Sequence, residues 1–155
     1  MSRILIVFSF LFISAFGFSQ EGMDTNQKKV KQTILDFFEG FHSGDTAQIR
    51  KTIDSNMVMQ TIAKTKEGEV KTAKTNIKKF MEVIHNRPKD QIWLEKLLDF
   101  KIDANDDIAQ VWTPYEFYVN EQFSHCGVNV FQLFNNGNTW KIIAIADTRK
   151  REGCK

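Results

Sequence analysis

Beyond Pro88 the chain carries four long runs with strand character, Ile92 to Ala104, Ile108 to Asn120, Gln122 to Asn135 and Thr139 to Lys150. They are joined by short polar links, Asn105-Asp106-Asp107, Asn120-Glu121 and Asn135-Asn136-Gly137-Asn138. Links of this kind favour tight reversals, so the pattern predicts an antiparallel meander of four strands. Alternation along the third run sets Phe123, Phe131 and Leu133 against Val128, Val130 and Phe134, and along the fourth Trp140 and Ile142 against Ile143 and Ile145. A sheet that is apolar on both faces has to be covered on both.

The cover for one face lies upstream. Val30, Ile34, Phe37, Phe38 and Phe41 recur at helical spacing within a segment that starts at Asp24 and stops at Gly44. Asp45 or Thr46 can cap a second, shorter helix through Ile49 to Ile53, and Asn76 a third through Ile77, Phe80, Met81 and Ile84, which Pro88 ends. Between them, two short extended segments flank Lys66-Glu67-Gly68, the pattern of a hairpin. Three helices with an embedded hairpin, followed by antiparallel strands, make an α+β domain with the helices on one face of a curved sheet. No helix is left for the other face. The simplest cover is a second copy of the chain, so a homodimer through the sheet is expected. Pro114 implies a bulge or a local edge in its strand, and Gly127 a bend or bulge in the next.

The first residues place Arg3 before an apolar run from Ile4 to Phe18, short for a membrane span and interrupted by small residues towards its end. We read residues 1–19 as a secretory leader, cleaved after Gly17 or Ser19, and residues 20–155 as a single domain that is exported, periplasmic or secreted, with no membrane attachment after cleavage. Losing Arg3 lowers the formal charge from +2 to +1, and the remaining basic residues are mixed with acids, which argues against nucleic acid as partner. No phosphate-binding glycine loop, nucleophile elbow or metal-ligand spacing occurs, so neither cofactor nor metal is expected.

The three helices with their hairpin, the meander, and the stretches VKQTILDFFEGFHSGDTAQI and GNTWKIIAIADTRKREG resemble the nuclear transport factor 2-like (NTF2-like) superfamily, and within it the SnoaL-like and lumazine-binding branch of small exported bacterial proteins. The resemblance covers nearly the whole of 20–155. It implies a cone-shaped barrel enclosing a pocket, often in a dimer, that hosts isomerases, dehydratases, cyclases, hydrolases and non-catalytic binders.

The polar and amphipathic groups on the meander are the candidates for such a pocket. Asp147, late in an apolar strand, suits a general base, unless it lies in solvent or pairs with Arg149 or Arg151. Tyr115 or His125 would be its hydrogen-bonding partner. Trp112, Glu116 and Asn129 are candidate ligand contacts, with Phe38 and Phe41 as apolar lining. Alternation puts His125 with Asn129 and Trp112 with Glu116, whereas Trp112 meets Tyr115 only if Pro114 bulges. His42 and His85 are given no role. Cys126 and Cys154 either form one disulfide or remain apart, since in register Cys126 falls near Thr148 and Cys154 reaches it only if the tail folds back. The expected function is the binding of a small apolar or aromatic molecule, or its cofactor-free isomerisation, dehydration or hydrolysis. The alternative is a structural or protein-interaction module with a self-filled cone.

Overall fold

The computed structural model describes residues 23–154, so the leader assigned to 1–19 lies outside the described residues. Helix α1 (Thr25–Ser43) begins at a capping box: Asp24 accepts from the Gln27 amide at 2.8 Å while the Gln27 side chain accepts from the Asp24 amide at 3.1 Å. It ends at Gly44, whose φ of 79° is the left-handed conformation that closes a helix at least cost in glycine. Asp45 caps α2 (Thr46–Thr52) and Asn76 caps α3 (Ile77–His85), as their positions predict. Val30, Ile34, Phe37, Phe38 and Phe41 are all buried.

Strands β1 (Ile53–Lys64) and β2 (Val70–Thr75) form the embedded hairpin, with Gly68 at a φ of 86° in its turn. The run Ile92 to Ala104 is not one strand but two, β3 (Trp93–Leu97) and β4 (Lys101–Ala104), which pair in succession along the same edge of β5 (Ile108–Val119). The break faces Pro114, whose carbonyl accepts from the Leu98 amide at 2.9 Å. Proline has no N–H to return, so the ladder lapses there. Across β5 and β6 (Gln122–Asn135) the register is unbroken through Pro114, and the shift comes later, between Phe117 and Tyr118. The bulge or edge expected of Pro114 is thus displaced onto its neighbour.

The meander closes with β7 (Trp140–Arg149), antiparallel to β6. Beyond it the sheet departs from a purely antiparallel one: β1 lies parallel to β7, matching Met59 with Ile145 and Thr61 with Asp147. The resulting order is β2-β1-β7-β6-β5-β3, with β4 also on β5, so the sheet is mixed and curved but open at both edges. The helices cover its concave face, where Val111, Phe131, Leu133, Ile142 and Ile145 join the helical residues in one core.

The ladder between β6 and β7 is interrupted at Gly127. Pairing of β6 with β7 runs to Asn129 and Asp147, lapses, and resumes where Cys126 faces Lys150. In the gap the Thr148 carbonyl leaves the ladder and lies against Gly127, so close that a Cβ there would stand 1.8 Å from its oxygen. The Tyr115 hydroxyl donates to that carbonyl at 3.0 Å, and the Val128 amide turns to the Thr148 Oγ1 at 3.1 Å. The strayed groups are therefore satisfied.

Past β7 the tail folds back and Cys126 is joined to Cys154 by a disulfide spanning a Cα–Cα distance of 6.0 Å. The partner in register is Lys150 rather than Thr148: the hairpin starts from Asn135 opposite Trp140, which alone would set Cys126 against Arg149, and the slip between Gln132 and Leu133 adds one position more. We expect Gly127→Ala to lower stability by about 2 kcal/mol or more, read from urea unfolding, because either strand has to move to admit one methyl group. An unchanged midpoint would show that the Thr148 carbonyl is not held there.

Candidate functional site

A cavity of about 340 Å³ lies between the helices and the concave face, walled by Phe37, Phe38, Phe41, Phe80, Trp93, Phe117 and Phe131. The rings of Phe37 and Phe41 lie nearly parallel to that of Phe80, at interplanar angles of 5° and 10°. Among these aromatics stand six polar side chains, Glu95, Tyr115, His125, Asn129, Asp147 and Arg149. Val83 and Arg149 are the exposed members of the lining and mark its mouth.

Six of the eight residues singled out from the sequence for catalysis or ligand contact line this cavity, from the sheet or from α1: Asp147, Tyr115, His125, Asn129, Phe38 and Phe41. Trp112 and Glu116 share a face, as alternation requires, but it is the outer one. With no bulge at Pro114, Trp112 points away from Tyr115 and is 49% exposed, and Glu116 accepts from the Tyr118 hydroxyl at 2.8 Å.

Asp147 is buried, with both carboxylate oxygens engaged: Thr61 Oγ1 donates to Oδ1 at 2.6 Å and Arg149 Nε to Oδ2 at 2.7 Å. The pairing with Arg149, weighed against a free base, is present, although in a buried setting. Tyr115 spends its proton on the Thr148 carbonyl, and burial raises its phenol well above the ordinary range. His125 stands edge-on to Tyr115, with Nδ1 3.0 Å from Ser124 Oγ. Burial, then the Arg149 charge, lowers its pKa, so the imidazole is neutral near pH 7.

Glu95 is the group that sequence reasoning missed. Its Oε1 accepts from Asn129 Nδ2 at 2.6 Å, and no partner of Oε2 is found among the described residues. Burial raises its pKa to about 7, the Asn129 hydrogen bond opposing the rise and the Asp147 charge adding to it. A carboxyl group poised there can give or take a proton near neutrality. The signal was present: in Trp93-Leu94-Glu95-Lys96-Leu97, alternation sets Glu95 between Trp93 and Leu97 on the covered face.

The main chain at Glu95 is fixed by His42, whose Nε2 accepts the Glu95 amide at 2.9 Å. Burial and the nearby Arg87 lower the His42 pKa, which keeps that lone pair free of a proton. Arg87 itself donates to the carbonyls of Phe41 and His42, at 3.2 and 2.6 Å, and lies over the Trp93 ring at 4.9 Å. The end of α1 is thereby fastened to β3. Among the described residues no cluster of His, Cys, Asp and Glu is arranged to hold a metal ion.

The folded chain retains a proton on Glu95 that the unfolded chain has lost between about pH 4.5 and 7, so this group makes stability fall as pH rises through that window. His42 and His125, both lowered from 6.5, act oppositely, costing stability as pH falls below that value. Glu95→Gln removes only the first effect. Relative to the parent it should gain on the order of 2 kcal/mol between acid and neutral pH in urea unfolding; parallel profiles would place the carboxyl in the ordinary range.

No family model matches the sequence. No curated protein matches it either. Solved structures do. An NTF2-like protein from Cytophaga hutchinsonii superposes with a TM-score of 0.63 at 12% identity, covering 83% of this chain and 100% of that one. A candidate dehydratase of the NTF2-like family from Streptomyces avermitilis gives 0.57 at 12%, covering 82% and 97%. The S. rosetta CaMKII hub gives 0.62 at 14%, covering 83% and 100%. At these identities the likeness speaks for architecture: the chain adopts the NTF2-like fold.

Proposed function

We propose that the protein binds a small apolar or aromatic molecule in the cavity and carries out cofactor-free acid–base chemistry on it, isomerisation, dehydration or hydrolysis, through Glu95. The observation that carries this reading is a carboxyl group with one unpartnered oxygen and a pKa near 7 at the edge of an aromatic cavity. The volume of about 340 Å³ is within the range of small-molecule sites, which favours an occupied pocket over a self-filled cone. Asp147, the base expected from sequence, has both oxygens engaged, so in this reading it balances Arg149 and shapes the pocket. His125 and Tyr115 line the same cavity, and Asn129 orients Glu95.

The same reading places the protein outside the cytoplasm. The leader pattern in 1–19 supports this, and so does a disulfide, a bond that persists in oxidising compartments. It also makes the protein a homodimer through the outer sheet face. Val58, Leu94, Ile108 and Trp112 are exposed there to between 46% and 55%, around the half-buried Val128 and Val130.

Two measurements test the proposal. Mass spectrometry of small molecules extracted from the purified protein should yield a bound compound. Glu95→Gln should then lower its turnover about 100-fold or more, and Asp147→Asn less; full turnover in Glu95→Gln removes the acid–base role. Light scattering should give twice the chain mass, and Trp112→Lys should halve it; a parent protein at single-chain mass defeats the dimer.

A further inference from the structure

The cavity is not symmetric in charge. Its inner part is bounded by the near-parallel rings of Phe37, Phe41 and Phe80. Its mouth carries Arg149, whose side chain is 53% exposed and whose Nε is committed to Asp147, while its terminal amino groups have no acceptor among the described residues. Arg151 stands two residues further on the exposed tail, and its charge, like that of Arg149, is felt at the His125 ring. That tail is held in place by the Cys126–Cys154 disulfide and by the paired amides and carbonyls of Cys126 and Lys150. The guanidinium of Arg149 thus stands at one end of the cavity, with Arg151 beyond it on the tail, and one carboxyl group, Asp147, faces it. Glu95 remains largely uncharged below neutrality.

We propose that the molecule taken up is a planar aromatic carboxylate, its ring lying among the phenyl groups and its carboxylate held by the terminal amino groups of Arg149 at the mouth. A guanidinium presents two parallel N–H groups that match a carboxylate in the plane, and it does so with less loss of hydration than an ammonium. A flat ring fits between aromatic walls by offset or edge contact. The mouth then selects for the anion, and the inner rings for the hydrocarbon. The inference rests on the pocket-binding reading above and adds the chemical class of the ligand.

The test uses two probes that share a ring system and differ in charge, 2-naphthoate and 2-naphthol, titrated calorimetrically into the full mature chain at about pH 6, below the point where Glu95 ionises. Naphthoate should bind about tenfold more tightly than naphthol, and its advantage should shrink as salt is added. Arg149→Met should bring naphthoate down to about the level of naphthol. If that variant does not fold, because Asp147 is left alone, Arg149→Lys keeps the charge without the fork and should retain only part of the preference. Equal or tighter binding of naphthol to the parent protein overturns this inference and leaves the pocket reading standing. Binding of neither probe overturns both.

Discussion

The contact between the aromatic stripe of α1 and the concave side of the sheet is what the remaining features presuppose. Phe38 meets Phe131 edge-on at 6.2 Å, and Phe41 meets Trp93 and Phe117 at 5.6 and 6.2 Å. Fully burying one such side chain contributes about 1.5–3 kcal/mol, so this one helix face accounts for a large part of the favourable burial. The rings also act as spacers. Their bulk holds the helix off the sheet and leaves a void between, whose lost dispersion contacts the aromatic pairs around it help to offset.

Within that void two acidic side chains a few residues from the same sheet layer are treated differently, and the difference lies in their partners. Asp147 meets a hydroxyl and a guanidinium, which between them engage both of its oxygens. Glu95 meets a neutral amide and a hydrophobic wall, and the nearby Asp147 charge opposes its ionisation. One cavity thus holds a fully engaged carboxyl group and a poised one, a division of roles on which acid–base chemistry near neutrality can draw. A shallow groove beside α1, lined by Leu35, Glu39, His42 and Leu97, also reaches Glu95 and Phe38, so the carboxyl group is bounded by two hollows rather than one.

Much of this was legible in local sequence. The helical stripe, the caps at Asp24, Asp45 and Asn76, the turn at Gly68 and the three meander links all lie where periodicity and turn chemistry put them, because each is settled by residues adjacent in the chain. What escaped was set by residues far apart. No local pattern announces that β1 lies parallel to β7, and the division of Ile92 to Ala104 depends on a proline some fifteen residues away in another strand. Trp112 was misplaced for a related reason: its face hung on whether the chain bulged at Pro114, and the irregularity was absorbed by the opposite edge. Glu95 was readable from alternation within β3, but only once that strand was separated from β4. Gly127 was legible as an irregular point in its strand, whereas what stands there, a carbonyl of the neighbouring strand that leaves no room for a Cβ, was not.

The parallel pairing of β1 with β7 has a consequence for how the protein comes into being. Thr61 and Asp147 are joined across 86 positions of chain, so the strand that carries Asp147 is made long after β1. A nascent chain in which β7 has not yet emerged has its helices and hairpin but no second neighbour for β1 and no rear wall behind the rings. Assembly of the hollow therefore waits on β7 and is governed by long-range closure, slower than helix formation and open to interception while the aromatic stripe is still bare.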